Sequence, residues 1–124
     1  MKPYLHAKSS VKEWGGVPED YMEIHDFIDS TKAHHADMRH RAMLHNSWGI
    51  YLCERIFGIN ITNTDGKLIS VRDIAERHIL EDLGRIPAIT DYLQGMPFYH
   101  WLGGAGHRKN AHSNDKPLKE IILD

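Results

Sequence analysis

The sequence predicts a mainly α-helical domain, compact around a buried central helix at about 33–57, with a small β-hairpin at about 59–71. Three observations carry this. Met38, Ala42, Gly49, Leu52, Cys53 and Ile56 share one face when projected at about 100° per residue, and Leu44, Trp48, Ile50 and Tyr51 spread apolar character around much of the remainder. A helix this apolar belongs in the middle of a domain. Asp65-Gly66, the strongest local hairpin signal, lies between two short runs of strand-forming residues. Gly58 and Gly84 stand where helices would end, and Pro18-Glu19-Asp20 where one would begin.

Residues 1–17 hold His6, Ser9, Ser10 and Trp14 ahead of Gly15-Gly16, with too little periodicity for more than a loop or a short turn of helix. His6 can fold back over a site, but an exposed terminal histidine is the commoner case. A helix follows over about 19–30, its first turn suited by the proline and the two acidic residues. Tyr21, Ile24, His25 and Ile28 share its inner face, with Asp29 one turn beyond His25.

Residues 30–36 read as a short linker and the start of the central helix, with His34 and His35 solvated. Past Gly58, Ile59-Asn-Ile-Thr and Lys67-Leu-Ile-Ser-Val71 form the two arms of the hairpin, which needs the helices to pack on. The helix over about 72–83 sets Val71, Ala75, His78, Ile79 and Asp82 on one face. Glu81 projects elsewhere and can pair with Arg77. Pro87 opens a short helix that ends near Gln94-Gly95, and Met96–Leu102 is an aromatic strip suited to covering helices. Residues 1–102 thus read as a single helical domain with its hairpin, and 103–124 as a flexible Gly/His/Asn-rich loop and C-terminal tail.

The 124 residues suffice for one core without disulfides or an obligatory structural metal. The net charge of -2, with acidic and basic residues interspersed, draws no footprint for duplex nucleic acid. Cys53 is the single cysteine and falls on the apolar stripe, so a reduced core thiol is expected. No apolar run is long enough to span a membrane, and the first residues lack the apolar core of a signal peptide, so a cytoplasmic location is expected. The compositional oddity is ten histidines, a high count for this length.

Inward-facing polar residues gather from three helices. His45 falls within the apolar stripe, Asp37 and Arg41 precede it in an i, i+4, i+8 row, and His40 lies one step aside. Buried polar groups persist only where they satisfy one another, a metal or a ligand. His25, His40, His45, His78 and Asp82 are therefore the candidate metal ligands, for a divalent ion such as zinc, manganese or iron, with three or four ligating directly. The i, i+4 spacing of His78 and Asp82 is the best local signal, although the same spacing makes an ordinary hydrogen-bonded pair. In a catalytic site Arg41 would hold an anionic group, and Asp37 or Glu54 would act as general base. The competing structural reading pairs Asp37 with Arg41 and bonds the histidines to backbone.

The sequence contains no His-Glu-x-x-His, paired Cys-x-x-Cys or Gly-x-Ser-x-Gly motif, which removes the commonest zinc-protease, zinc-finger and serine-hydrolase readings. His25-Asp26 resembles the adjacent dyad of HD-type phosphohydrolases, yet the two side chains project about 100° apart on a helix. A broader likeness rests on Pro18-Glu-Asp-Tyr, Ile24-His-Asp-Phe, Asp37-Met-Arg-His-Arg-Ala with His45, Gly49-Ile, Phe57-Gly, Ile61-Thr-Asn, Asp65-Gly66 and Glu81-Asp-Leu-Gly-Arg-Ile-Pro87. Over roughly residues 6–102 the chain resembles a small uncharacterised family of tailed bacteriophages and bacteria. That resemblance implies a phage or bacterial cytosolic domain, in the host cytoplasm if phage-encoded, and no transferable activity.

The leading functional expectation is a metal-dependent hydrolase of a phosphorylated or nucleotide-like small molecule. Its rival is a non-enzymatic phage module that binds a nucleotide or a host protein, with the His/Asp/Arg cluster as structural support. A small anionic ligand suits either. The C-terminal Pro117-Leu-Lys-Glu-Ile-Ile-Leu run leaves room for a homo-oligomer contact.

Overall fold

The computed structural model describes residues 1–103. Met1–Leu93 form one unit and the chain from Gln94 onward a second. The expected loop and tail beyond Gly103 lie outside the described residues.

The fold class is as the sequence predicts, mainly helical with one antiparallel hairpin. The largest departure comes first. Residues 3–14, expected as no more than a loop or a short turn of helix, form a full helix, α1 (Pro3–Trp14), opened by Pro3 in the first turn and closed at Gly15 with φ 85°. Its buried residues are His6, Ala7 and Ser10. The helix is amphipathic in spacing but not in hydrophobicity, which is why apolar periodicity does not reveal it.

A single 3-10 turn, Pro18–Asp20, leads into α2 (Met22–Ile28), which buries Ile24, His25 and Ile28. The central helix is segmented. Residues 30–33 and 38–40 form separate 3-10 turns, α3 spans only Arg41–Leu44, and the buried helix proper is α4 (Ser47–Phe57). His45 has φ -82° and ψ 64°, off the helical path, and Asn46 caps α4. The inner face of α4 is Gly49, Ile50 and Cys53, while Met38 and Ile56, placed on the apolar stripe by the sequence, are 70% and 55% exposed. The break at His45-Asn46 takes Met38 out of line with α4, whereas Ile56 lies on α4 itself and outside its buried face.

The hairpin pairs β1 (Asn60–Thr62) with β2 (Leu68–Ser70), Ile61 opposite Ile69. Gly66, at φ 79°, makes the turn that Asp65-Gly66 forecasts. The hairpin is docked through its loop. Asp65 accepts from the Gly16 N–H at 2.9 Å, Asp20 from the Thr64 N–H at 3.0 Å, and buried Asn63 donates to the Trp14 carbonyl at 3.1 Å. Ser70 then caps α5 (Val71–Leu83) by accepting from the Asp73 N–H, and left-handed Gly84 ends it. α6 (Ile89–Leu93) completes the first unit. In the second unit, Tyr99 and Trp101 stack at 5.2 Å, both exposed.

The core is Ala7, Tyr21, Ile24, Ile28, Ile50, Cys53, Ile69, Val71, Ile74, Ala75 and Ile79. Burial pushes the Cys53 thiol up to about 12, so it stays an unreactive core group, as expected. No helix of the described residues is long and apolar enough to cross a membrane.

Candidate metal centre

Beside this apolar core lies a second, polar one. α1 contributes His6, α2 contributes His25 and ends at Asp29, the corner between α3 and α4 contributes His45, and α5 contributes His78 and Asp82. All four histidines are at most 1% exposed, and the Asp29 and Asp82 side chains are 5% and 1% exposed. Burial of this many ionisable groups demands mutual compensation or a bound cation.

The geometry converges on two carboxylate oxygens. His45 Nε2 lies 2.9 Å from Asp82 Oδ2 and 3.3 Å from Asp29 Oδ1; His78 Nε2 lies 3.4 Å and 3.2 Å from the same two atoms. Two imidazole nitrogens and two carboxylates thus form a closed four-membered set within 4.8 Å of one another. With metal–ligand bonds of about 2.1 Å, neighbouring donors sit about 3.0 Å apart in an octahedron and about 3.4 Å apart in a tetrahedron. The four histidine–carboxylate edges, 2.9 to 3.4 Å, match those lengths, so the set could hold a metal ion.

His6 stands beside this set, in a group of its own with His25 and His78. Its Nδ1 lies 2.8 Å from Glu81 Oε1, and a carboxylate only accepts, so Nδ1 carries the proton. Its Nε2 lies on the other side, 3.2 Å from Asp82 Oδ1. Glu81 is itself held by the Ser9 hydroxyl, which donates to Oε2, while Arg77 stands 3.7 Å from the same oxygen. A carboxylate behind a histidine in this way fixes the tautomer of a metal ligand. Asp29 Oδ2 and His45 Nδ1 are buried without a partner.

The electrostatics agree with an anionic pocket lined by imidazoles. Burial works against the Asp29 and Asp82 carboxylates, but hydrogen bonds from His45 and His78 outweigh it, joined at Asp82 by His6, and hold both well below the usual carboxylate range. Burial equally opposes charge on His45, and its bonds to Asp29 and Asp82 win, raising it above the ordinary imidazole value. His25, away from the carboxylates, is pushed down to about 3 by burial and by His78 and His6, and is neutral.

Of the residues selected from sequence, the structure brings together His25, His45, His78 and Asp82. His40 is a neighbour: it lies edge-on to His45 with ring centres 5.8 Å apart, but its Nδ1 meets Thr31 Oγ1 at 3.0 Å. Arg41 sits at the rim, its guanidinium 3.9 Å from Asp82 Oδ1. The expected inward row is corrected at Asp37, which is half exposed, caps the 38–40 turn and pairs with Arg39 and His35. Its helical projection failed because no helix is continuous from 37 to 45. Glu54 turns to Arg72 at 3.6 Å, and no described contact joins it to the histidines. Sequence reasoning left out His6, Asp29, Ser10 and Glu81 as site residues. Asp29 was one turn from His25 on the same face and could have been added; His6 and Ser10 gave no signal because their helix carried none.

Comparison with curated proteins and with solved structures yields no match. Residues 1–102 match a family described as a domain of unknown function, DUF6915. That match covers most of the chain, from the helix carrying His6 through the one carrying His78 and Asp82, and the protein belongs to this family.

Proposed function

We propose that the protein is a divalent-metal protein of phage or bacterial origin, acting in the cytoplasm as a metal-dependent hydrolase of a phosphorylated or nucleotide-like small molecule. The observation that carries the metal is the facing of two histidine Nε2 atoms, from different parts of the fold, onto the same pair of carboxylate oxygens. Asp29, His45, His78 and Asp82 are the ligand set, with His6 beside it. Nitrogen and oxygen donors in this mixture suit zinc, manganese or iron.

A bound ion would supply Lewis-acid polarisation of a phosphoryl oxygen and activation of water. The general-base candidates Asp37 and Glu54 lie away from this set, against Arg39 and Arg72. Arg41 remains the group to hold an anion at the rim. A cavity of about 720 Å³ with Lys8, Lys12 and Arg77 around apolar Leu5 and Val11 also borders Glu81, the partner of His6, and is of a size for a small anionic ligand.

The near-complete burial of the ligands favours a second reading, in which the ion or the bare cluster clamps α1, α2, the α3–α4 corner and α5 together in a non-enzymatic binding module. Elemental analysis of untagged protein, with His45→Ala and His78→Ala alongside, tests the centre: about one metal per chain is expected, lost in both variants. Metal-free wild type after incubation with zinc, manganese and iron overturns it. Phosphoester and nucleotide hydrolysis by loaded protein supports the enzyme; a loaded, stable protein inert to all of them supports the clamp.

A further inference from the structure

His25 belongs to a second group of three close histidine nitrogen donors, with His6 and His78, which would make it a ligand. Its own contacts assign it elsewhere. His25 Nδ1 lies 2.8 Å from His78 Nδ1, and His25 Nε2 lies 2.9 Å from Ser10 Oγ, so both ring nitrogens are engaged. Ser10 Oγ in turn lies 3.1 Å from the His6 carbonyl oxygen. The result is a buried chain of hydrogen bonds that leads from His78, on α5, through α2 to the backbone of α1.

Where each ring carries one proton, the two rings joined nitrogen to nitrogen share one of them at the contact, and the chain then has two self-consistent directions. In the outward one, His78 Nδ1–H donates to His25 Nδ1, His25 Nε2–H donates to Ser10 Oγ, and the Ser10 hydroxyl donates to the His6 carbonyl. His78 Nε2 is then a bare lone pair aimed at Asp29 and Asp82, as a metal ligand must be. In the inward one, the Ser10 hydroxyl donates to His25 Nε2, His25 Nδ1–H donates to His78 Nδ1, and His78 Nε2–H donates to the carboxylates. Each ring keeps one proton in both, so reversal changes neither charge nor proton count.

We propose that Ser10 and His25 are positioning residues that form a reversible hydrogen-bond relay, setting His78 as a metal ligand when the centre is loaded and as a proton donor to Asp29 and Asp82 when it is empty. The inference rests on the metal reading. The inward direction also explains how two carboxylates can stay buried with no ion between them: His78 supplies a hydrogen bond that the ion would otherwise replace.

Long-range nitrogen–proton NMR of the full chain reads the tautomers directly, with chelator-treated and zinc-loaded protein compared. The relay requires His25 to carry its proton on Nδ1 in the metal-free protein and on Nε2 with zinc bound, and His78 to switch from Nε2–H to Nδ1–H. His25→Phe, which cannot accept from His78, is expected to lower zinc affinity about 10- to 100-fold, the usual effect of removing such a partner. His25→Gln, which can accept, should recover part of that loss. Ser10→Ala should weaken binding less, because the His78–His25 contact still couples the two tautomers when the outer partner of His25 is gone. Zinc uptake by wild type with an unaltered His25 tautomer, or coordination shifts on His25 itself, overturns the relay and leaves the metal centre standing. Failure of the wild type to take up zinc overturns both.

Discussion

Asn46 Oδ1 accepts a 2.8 Å hydrogen bond from the Gly49 N–H, while Asn46 Nδ2 donates to the Ala42 and Met43 carbonyls at 2.8 and 3.2 Å. One fully buried amide therefore ends α3, starts α4 and holds the corner in which His45 sits. Gly49 completes it from the other side, because a Cβ there would overlap the Leu44 carbonyl.

Asn46→Ala should cost about 2 kcal/mol, the upper range for an N-cap, since it also strands two carbonyls. Gly49→Ala should cost about 3 kcal/mol through overpacking against backbone that cannot yield. Denaturant unfolding measures both. Each variant should also bind metal more weakly than its stability loss alone would suggest, because His45 is displaced with the corner. Unchanged metal affinity in a destabilised Gly49→Ala would separate the corner from the site.

Metal should stabilise the fold. An ion bound by residues from four parts of the chain binds the native state and not the unfolded one, giving about 2.7 kcal/mol at a free concentration 100 times Kd. A rise of several degrees in Tm on adding zinc to chelated protein is the expected result. It should vanish in Asp82→Asn, which keeps the shape of the side chain and loses its charge.

In the metal-free protein, stability should fall on acidification. His25 is depressed to about 3 in the fold and titrates near 6.5 when unfolded, so between those values the unfolded chain holds about one proton more. Stability must then rise with pH across that window. Below about pH 4 the depressed Asp29 and Asp82 add to the loss, because their contribution is present above their unfolded values and disappears as they protonate. His45 acts in the opposite sense: raised in the fold, it stabilises below its unfolded value and ceases to as pH climbs through its folded one. Urea midpoints at a series of pH values, with His25→Gln as control, should show the acid slope in the wild type and a weaker one in the variant.

Asp37→Ala and Glu54→Ala should leave metal content and affinity at the wild-type level. Asp37 meets only Arg39 and His35 among its described ionic partners, and Glu54 meets Arg72. Loss of metal in either would place a ligand where the structure has none.

How much of this was legible in the sequence differs from element to element. The hairpin and α5 announce themselves, since Gly66 and Gly84 are positions whose backbone, at positive φ, suits glycine. The polar face of α5 was equally plain from the spacing of His78 and Asp82. The corner at His45-Asn46 was not, because the apolar stripe through Met38, Ala42, Gly49 and Cys53 projects straight across it; the sign to read was asparagine, a favoured cap, ahead of Ser47. α1 was hidden more deeply. Sequence periodicity detects faces that are buried because they are apolar, and the face of α1 is buried because it completes a polar centre.

That burial makes α1 a tethered segment whose grip depends on polar chemistry as well as on oil. Ala7 joins the apolar core and Val11 and Trp14 pack against it, while His6 and Ser10 tie the same helix to Glu81, Asp82 and His25, the groups an ion would organise. Local opening of α1, followed by amide exchange or by protease nicking before Trp14, then becomes a gauge of occupancy at a place ten or more residues away along the chain from the nearest ligand on α2.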